Sequence, residues 1–297
     1  MGEDPLSNSA THAIPLSLKS KDGLSLFGRA WVPPAGYRAN IILVHSLGEH
    51  SGRYEHIARH FLARDYAVYG IDFRGHGRSQ GRRGHVNHFQ DYLQDLTALV
   101  KHIHQESSPV PLFLIGHSVG GLISLLYALR YQENVSTVII ACPAFRGSVQ
   151  ISGWRLMWAN LLSLVSPTLT LYNNLDPYLL SQDEAVVKAY RSDPLVHNEF
   201  TARWAVEYLK ASDWIMSRAN RLAVSALILQ SGNDQIVDPS GAREFFDRIG
   251  LEDKYYIEYE TLYHEIFNES EALSVLGDIE AWLIPRLQPE VGALSIA

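Results

Sequence analysis

Apolar residues in this chain come in short runs separated by stretches of helical period. After a turn at Asp22-Gly23, Leu24, Leu26 and Ala30 alternate with Ser25 and Arg29, the period-two pattern of a half-buried strand. Residues 41–44, 67–71, 112–115 and 137–140 are continuous apolar runs of strand length, as expected of strands covered on both faces. Between them, residues 54–64, 89–104 and 122–131 repeat at helical spacing. In the second of these, Tyr92, Leu93, Leu96, Leu99 and Val100 share one face. Alternation of this kind predicts βαβ units and a parallel sheet.

The rhythm breaks after residue 143. Residues 144–222 read as helices and irregular segments rich in Trp, Leu and Tyr, with no strong strand. It returns at 226–230, 242–249, 255–259 and 271–286. The expectation is an α/β architecture: a mostly parallel central sheet flanked by helices, with an inserted helical cap. Residues 1–143 and 223–297 would form one catalytic core and residues 144–222 the cap. Trp154, Trp158, Leu161, Leu162 and Leu164 would either line an apolar tunnel or pack the cap's helices.

Composition narrows the function classes. A net charge of -7 argues against a nucleic-acid partner. The 13 histidines are scattered, and no Cys/His spacing suggests a zinc site, so no metal is expected. The single cysteine, Cys142, rules out an intramolecular disulfide and fits a reducing, cytoplasmic compartment. The opening residues MGEDPLSNSATHAIPLSL are acidic and lack an apolar core, so they do not read as a signal peptide. Leu6 stands where a myristoylation signal needs Ser or Thr. The longest charge-free stretch, 156–175, contains Asn160, Pro167, Asn173 and Asn174 and is no membrane span.

Chemistry enters at Gly116-His117-Ser118-Val119-Gly120, between an apolar run and a helix. This is the context of a nucleophile elbow, in which a serine sits on a strained turn above a helix N-terminus. Glycines two positions either side, Gly116 and Gly120, let the backbone pass where a Cβ would collide. The alternative is a glycine-rich turn without chemistry. The order nucleophile, acid, histidine along the chain supplies a test. His264 is the only histidine after His197 and lies just beyond the run 255–259, so it is the expected base. Asp234, in the turn after 226–230, is the expected acid. Its rival Asp238 precedes Pro239 and a helix, and reads as a cap. His45-Ser46-Leu47-Gly48 follows the run 41–44, where an oxyanion loop belongs. The expected oxyanion donors are the backbone N–H groups of Leu47 and Val119.

With these residues in view, the chain resembles the monoacylglycerol lipase and lysophospholipase family of α/β-hydrolases, the serine aminopeptidase S33-like group. The motifs are His45-Ser-Leu-Gly-Glu-His-Ser-Gly-Arg-Tyr54, Asp72-Phe-Arg-Gly-His-Gly-Arg-Ser79 and Gly116-His-Ser-Val-Gly-Gly121. Tyr190, Asp193-Pro-Leu-Val196 and Thr201-Ala-Arg203 are similar to the family's cap. The resemblance spans about Leu24 to Arg286 and implies a cofactor-free serine esterase. Its implied substrate is a small lipid ester, a monoacylglycerol first, a lysophospholipid or short-chain ester second. It also implies peripheral membrane contact through the cap and no obligate protein partner. Glu49 and His50 would brace the oxyanion loop, and Arg74 and His76 a neighbouring loop. One departure stands out: the family usually has glycine where this chain has Ser46. Either serine is strained there, by about 1 kcal/mol or more if φ is positive, or its hydroxyl adds a hydrogen bond. Two other classes compete. A dehalogenase of the same fold would need a carboxylate at position 118. A binding protein that has lost catalysis would be expected to lack one of the three residues.

Overall fold

The computed structural model describes residues 13–106, 109–145 and 153–287, the side chains of 153–156 excepted. Eight strands form one sheet: β1 (Ile14–Lys19), β2 (Ser25–Trp31), β3 (Ala39–Val44), β4 (Tyr66–Ile71), β5 (Leu112–His117), β6 (Thr137–Ala141), β9 (Ser225–Ser231) and β10 (Lys254–Tyr259). Their spatial order is β1-β2-β4-β3-β5-β6-β9-β10. β2 runs antiparallel to β1 and β4, and the remaining neighbours are parallel. β3, β4, β5 and β6 are buried along their whole length, which is why each reads as an uninterrupted apolar run. β1 has no counterpart in the sequence reading. It is an edge strand with mostly solvent-facing residues and leaves little apolar signature.

The two faces of the sheet carry separate cores. One is built on α2 (Asp91–Glu106), α3 (Val119–Arg130) and α7 (Pro239–Arg248), with Leu96, Leu122 and Phe245 fully buried. The other is built on α1 (Glu55–Leu62) and α8 (Ala272–Leu283), with Phe61, Phe113 and Ile279 fully buried.

Between β6 and β9 lie α4 (Gly153–Val165), β7 (Thr170–Tyr172), α5 (Glu184–Ser192), β8 (Glu199–Thr201) and α6 (Ala202–Met216). β7 and β8 pair antiparallel, so this region contains a short ribbon that the reading "no strong strand" missed. Each strand has only three residues, too few to show a period. α6 packs inward: Trp204 is buried and its indole N–H donates to the Tyr92 hydroxyl at 2.9 Å. α4 does the reverse. Ser163 is buried, while Leu164 and Val165 beside it are 73% and 76% exposed. Trp158, Leu161, Leu162 and Leu164 are all partly exposed, Leu164 most of all, on a helix that lies against α6, and none of them lines the cavity at Ser118; Trp154's side chain lies outside the described residues. Among the described residues, no helix is long and apolar enough to cross a membrane.

Candidate active site

The site forms where the C-terminal ends of β3, β5, β9 and β10 release their loops, the edge at which open α/β sheets bind ligands. β5 ends at His117 and α3 starts at Val119, leaving Ser118 alone in the turn with φ 55° and ψ −118°. A left-handed φ at a non-glycine residue is strained, and it is sustained here by the surroundings. The Ser118 N–H donates to Ala141 O at 2.9 Å, and its carbonyl accepts from Gly121 N–H at 3.0 Å. A Cβ at Gly116 would strike the Gly120 carbonyl, and one at Gly120 would strike those of Val44 and His45. The close passage of β3, β5 and α3 therefore depends on both glycines.

Asp234 and His264 arrive from separate loops and meet. His264 Nδ1–H donates to Asp234 Oδ2 at 2.7 Å, and both side chains are buried. The other carboxylate oxygen of Asp234 accepts the N–H groups of Ile236 and Val237, each at 2.9 Å. Burial pushes the Asp234 carboxyl up, but His264 and the two N–H donors outweigh it and hold it below its ordinary value. Asp238 is instead the N-cap of α7, accepting Ser240 N–H at 2.9 Å. Ser118, His264, Leu47 and Val119 line one cavity of about 530 Å³. Val119 is the first residue of α3, so its N–H lacks a helical acceptor. It reaches Ser46 Oγ at 3.4 Å.

The loop of residues 45–48 is tied down by a buried charged cluster. Glu49 accepts the Ser46 N–H at 2.8 Å and the Tyr54 hydroxyl at 2.7 Å. Arg53 donates to Glu49 at 2.6 Å and grips Glu265 with two bonds of 2.8 Å. Burial raises the Glu49 carboxyl, yet Arg53 and the neighbouring His117 hold it well below its ordinary value. Glu265 was overlooked in the sequence reading, although it directly follows His264. Arg53 thus joins the loops that carry Ser46 and His264. His50 reaches across to Asp193 at 2.8 Å, linking the loop after β3 to the segment after α5. In the loop after β4, Arg74 binds Asp95 of α2 and Asp22 of the turn before β2. The apolar wall of the cavity comes from Leu175, Leu179, Leu180, Phe200, Ile236 and Val237.

His117, Cys142 and His264 bring potential ligand atoms within 4.8 Å of one another. One nitrogen of each histidine is already engaged: His264 Nδ1 holds Asp234, and His117 Nε2 donates to the His264 carbonyl at 3.0 Å. Burial also pushes the Cys142 thiol up, against the thiolate a metal would need.

Comparison with known proteins bears on the assembly as a whole. The profile described as serine aminopeptidase, S33, matches residues 35–271. A monoacylglycerol lipase of Mycolicibacterium smegmatis is 33% identical over 89% of this chain and 95% of its own length. An uncharacterised abhydrolase domain-containing protein of Dictyostelium discoideum is 34% identical over 92% of this chain, which spans 29% of that longer protein. The crystal structure of Paleococcus ferrophilus monoacylglycerol lipase superposes with a TM-score of 0.81 at 30% identity, covering 88% of this chain and 99% of that one. With its eight-stranded, mostly parallel sheet and the serine turn at the end of β5, this chain belongs to the serine aminopeptidase S33 family of α/β-hydrolases.

Proposed function

We propose that this protein is a serine esterase that hydrolyses monoacylglycerols through an acyl-enzyme on Ser118. One observation carries the reading: the strained Ser118 shares a cavity with a histidine whose far nitrogen is held by a buried carboxylate. His264 takes the Ser118 proton as the hydroxyl attacks the ester carbonyl. Asp234 holds the His264 tautomer and stabilises the imidazolium. The N–H groups of Leu47 and Val119 receive the oxyanion. His264 then protonates the departing glycerol, and water activated by the same imidazole releases the fatty acid.

The substrate class is supported by the walls and by the relatives. Charged Glu49, Arg53 and Glu265 cluster on one part of the cavity, and Leu175, Leu179, Ile236 and Val237 supply apolar surface. A single-chain lipid with a polar head suits both. Residues 144–222 serve as the cap in this reading, and α4 is its membrane-facing element. Met157, Trp158, Leu161, Leu164 and Val165 are all exposed on it. Full burial of such a side chain is worth about 1.5–3 kcal/mol, so half-burying these five gives about 4–8 kcal/mol. That is the scale of a single lipid anchor, which binds reversibly. A cytoplasmic protein that docks transiently on a membrane surface fits this balance and the single, buried cysteine.

The test is covalent labelling by a fluorophosphonate probe together with a substrate panel. Labelling at Ser118, its loss in Ser118→Ala, and faster turnover of monoacylglycerols than of lysophospholipids or short p-nitrophenyl esters are expected. Undiminished labelling of Ser118→Ala would overturn the nucleophile, and preferential lysophospholipid hydrolysis would overturn the substrate.

A further inference from the structure

Ser46 stands where the family usually has glycine, and the structure separates the two explanations for it. Among the described residues, non-glycine positive φ values occur at Asp65, Ser118, Cys142 and Asn174. Ser46 is not one of them, so it carries no left-handed strain. Its backbone is fixed on both sides: the N–H donates to Glu49 at 2.8 Å, and the carbonyl accepts the His45 Nδ1–H at 2.7 Å. The side chain is therefore rooted on a rigid stem and faces the cavity shared by Ser118, Val119 and His264.

The Ser46 hydroxyl accepts the Val119 N–H at 3.4 Å, well beyond the ordinary N–H···O length of about 2.9–3.0 Å. A bond that long is weak and easily given up. Among the described residues, the hydroxyl's own proton meets no acceptor, and a serine hydroxyl rotates freely to suit one. We infer that Ser46 is a catalytic residue whose hydroxyl is a third donor to the oxyanion, added to the N–H groups of Leu47 and Val119. The inference rests on the acyl-enzyme reading above. In the free protein Ser46 Oγ keeps the Val119 N–H partnered. As the tetrahedral intermediate forms, that N–H turns to the new oxyanion, which sits about 2.7–3.1 Å from its donors. The Ser46 O–H swings to donate to the same oxygen. No covalent bond changes at Ser46; one weak neutral contact is exchanged for two bonds to an anion, each about twice as strong as a neutral one. Because the charge appears only on the way to the intermediate, the gain falls on kcat and little on KM.

The experiment compares Ser46→Ala, Ser46→Gly and Ser46→Thr with the wild-type protein on one soluble p-nitrophenyl ester. The same set is titrated with a trifluoromethyl ketone, which forms a tetrahedral oxyanion with a serine nucleophile. Alanine and glycine are expected to lower kcat by about 100-fold, the scale for loss of one side-chain oxyanion donor, with KM close to wild type. Affinity for the ketone should fall in parallel, and threonine, which keeps the hydroxyl, should restore most of both. A merely structural role would not link ketone affinity to the presence of a hydroxyl. If Ser46→Ala and Ser46→Gly match or exceed the wild type, the hydroxyl only plugs the hole and the inference fails. Wild-type turnover that is lost in Ser118→Ala keeps that failure distinct from failure of the acyl-enzyme reading. A wild-type protein inert toward both ester and probe would overturn the two together.

Discussion

The core and α4 follow opposite rules. In the core, β3 to β6 bury every residue, and each helix turns its apolar side toward the sheet. On α4 a serine points in, and leucine, valine and tryptophan point out. Burying apolar area is the main drive of folding, so a helix that leaves it exposed is matched to something other than this chain's own interior. The two regions are fitted to different surroundings. The core makes a rigid platform for Ser118 and His264. On the proposed reading, residues 144–222 form a cap whose α4 faces the interface where substrate would enter.

The sharpest way to break that division is at the core's acid. Asp234→Asn is expected to reduce kcat by about 10⁴-fold, because the histidine loses the partner that fixes its tautomer. Asp238→Asn should stay near wild type, since asparagine caps a helix as well as aspartate does. Steady-state turnover of a soluble ester checks both, and the opposite ranking would move the acid to Asp238. The cap's role is tested by Leu164→Ser combined with Val165→Ser. Activity on vesicle-borne monoacylglycerol should fall about tenfold, the effect of losing roughly 1.4 kcal/mol of docking. Turnover of a soluble ester should not change. An equal loss on both substrates would show that α4 supports the site and not a membrane contact.

The smallest expected effect lies at the seam between the two regions. The His197 N–H donates to Gly48 O at 2.8 Å, joining the segment before β8 to the loop after β3. Burial, then Arg83, lowers the His197 imidazole to about 4 from its ordinary 6.5. The folded protein therefore keeps this ring neutral while the unfolded chain takes up a proton. Its contribution to stability is complete above pH 6.5 and is lost as pH falls from about 6.5 toward 4. Buried His45 and His76 are shifted the same way, so the acid limb is shared. The thermal midpoint should drop across this window, and His197→Asn should shorten the drop without abolishing it. An equally steep limb in the variant would remove His197 from the account.

How much of this was legible varies with the physical signal. Strands such as β3 and β5 announce themselves because a strand covered on both faces must be apolar throughout. β1 does not, since an exposed edge strand needs no apolar pattern. The β7–β8 ribbon was missed because three residues show no period. Ser118, Asp234 and His264 stand out through local context and chain order. Glu265 does not, because its partner Arg53 is more than 200 residues away and only folding reveals the pair.

The alternation of elements, the serine turn, and the order in which an acid and a histidine follow it can all be read along the chain. These are local facts, written in periodicity and in which residues fit a tight turn. The tertiary structure alone decided that α4 wears its apolar face outward, and that Arg53 ties Glu49 to Glu265 across the site. It alone decided that Ser46 sits unstrained with its hydroxyl against the Val119 N–H. Those depend on which distant groups share a few ångströms. Residue spacing along a chain does not encode that until the sheet and helices have packed.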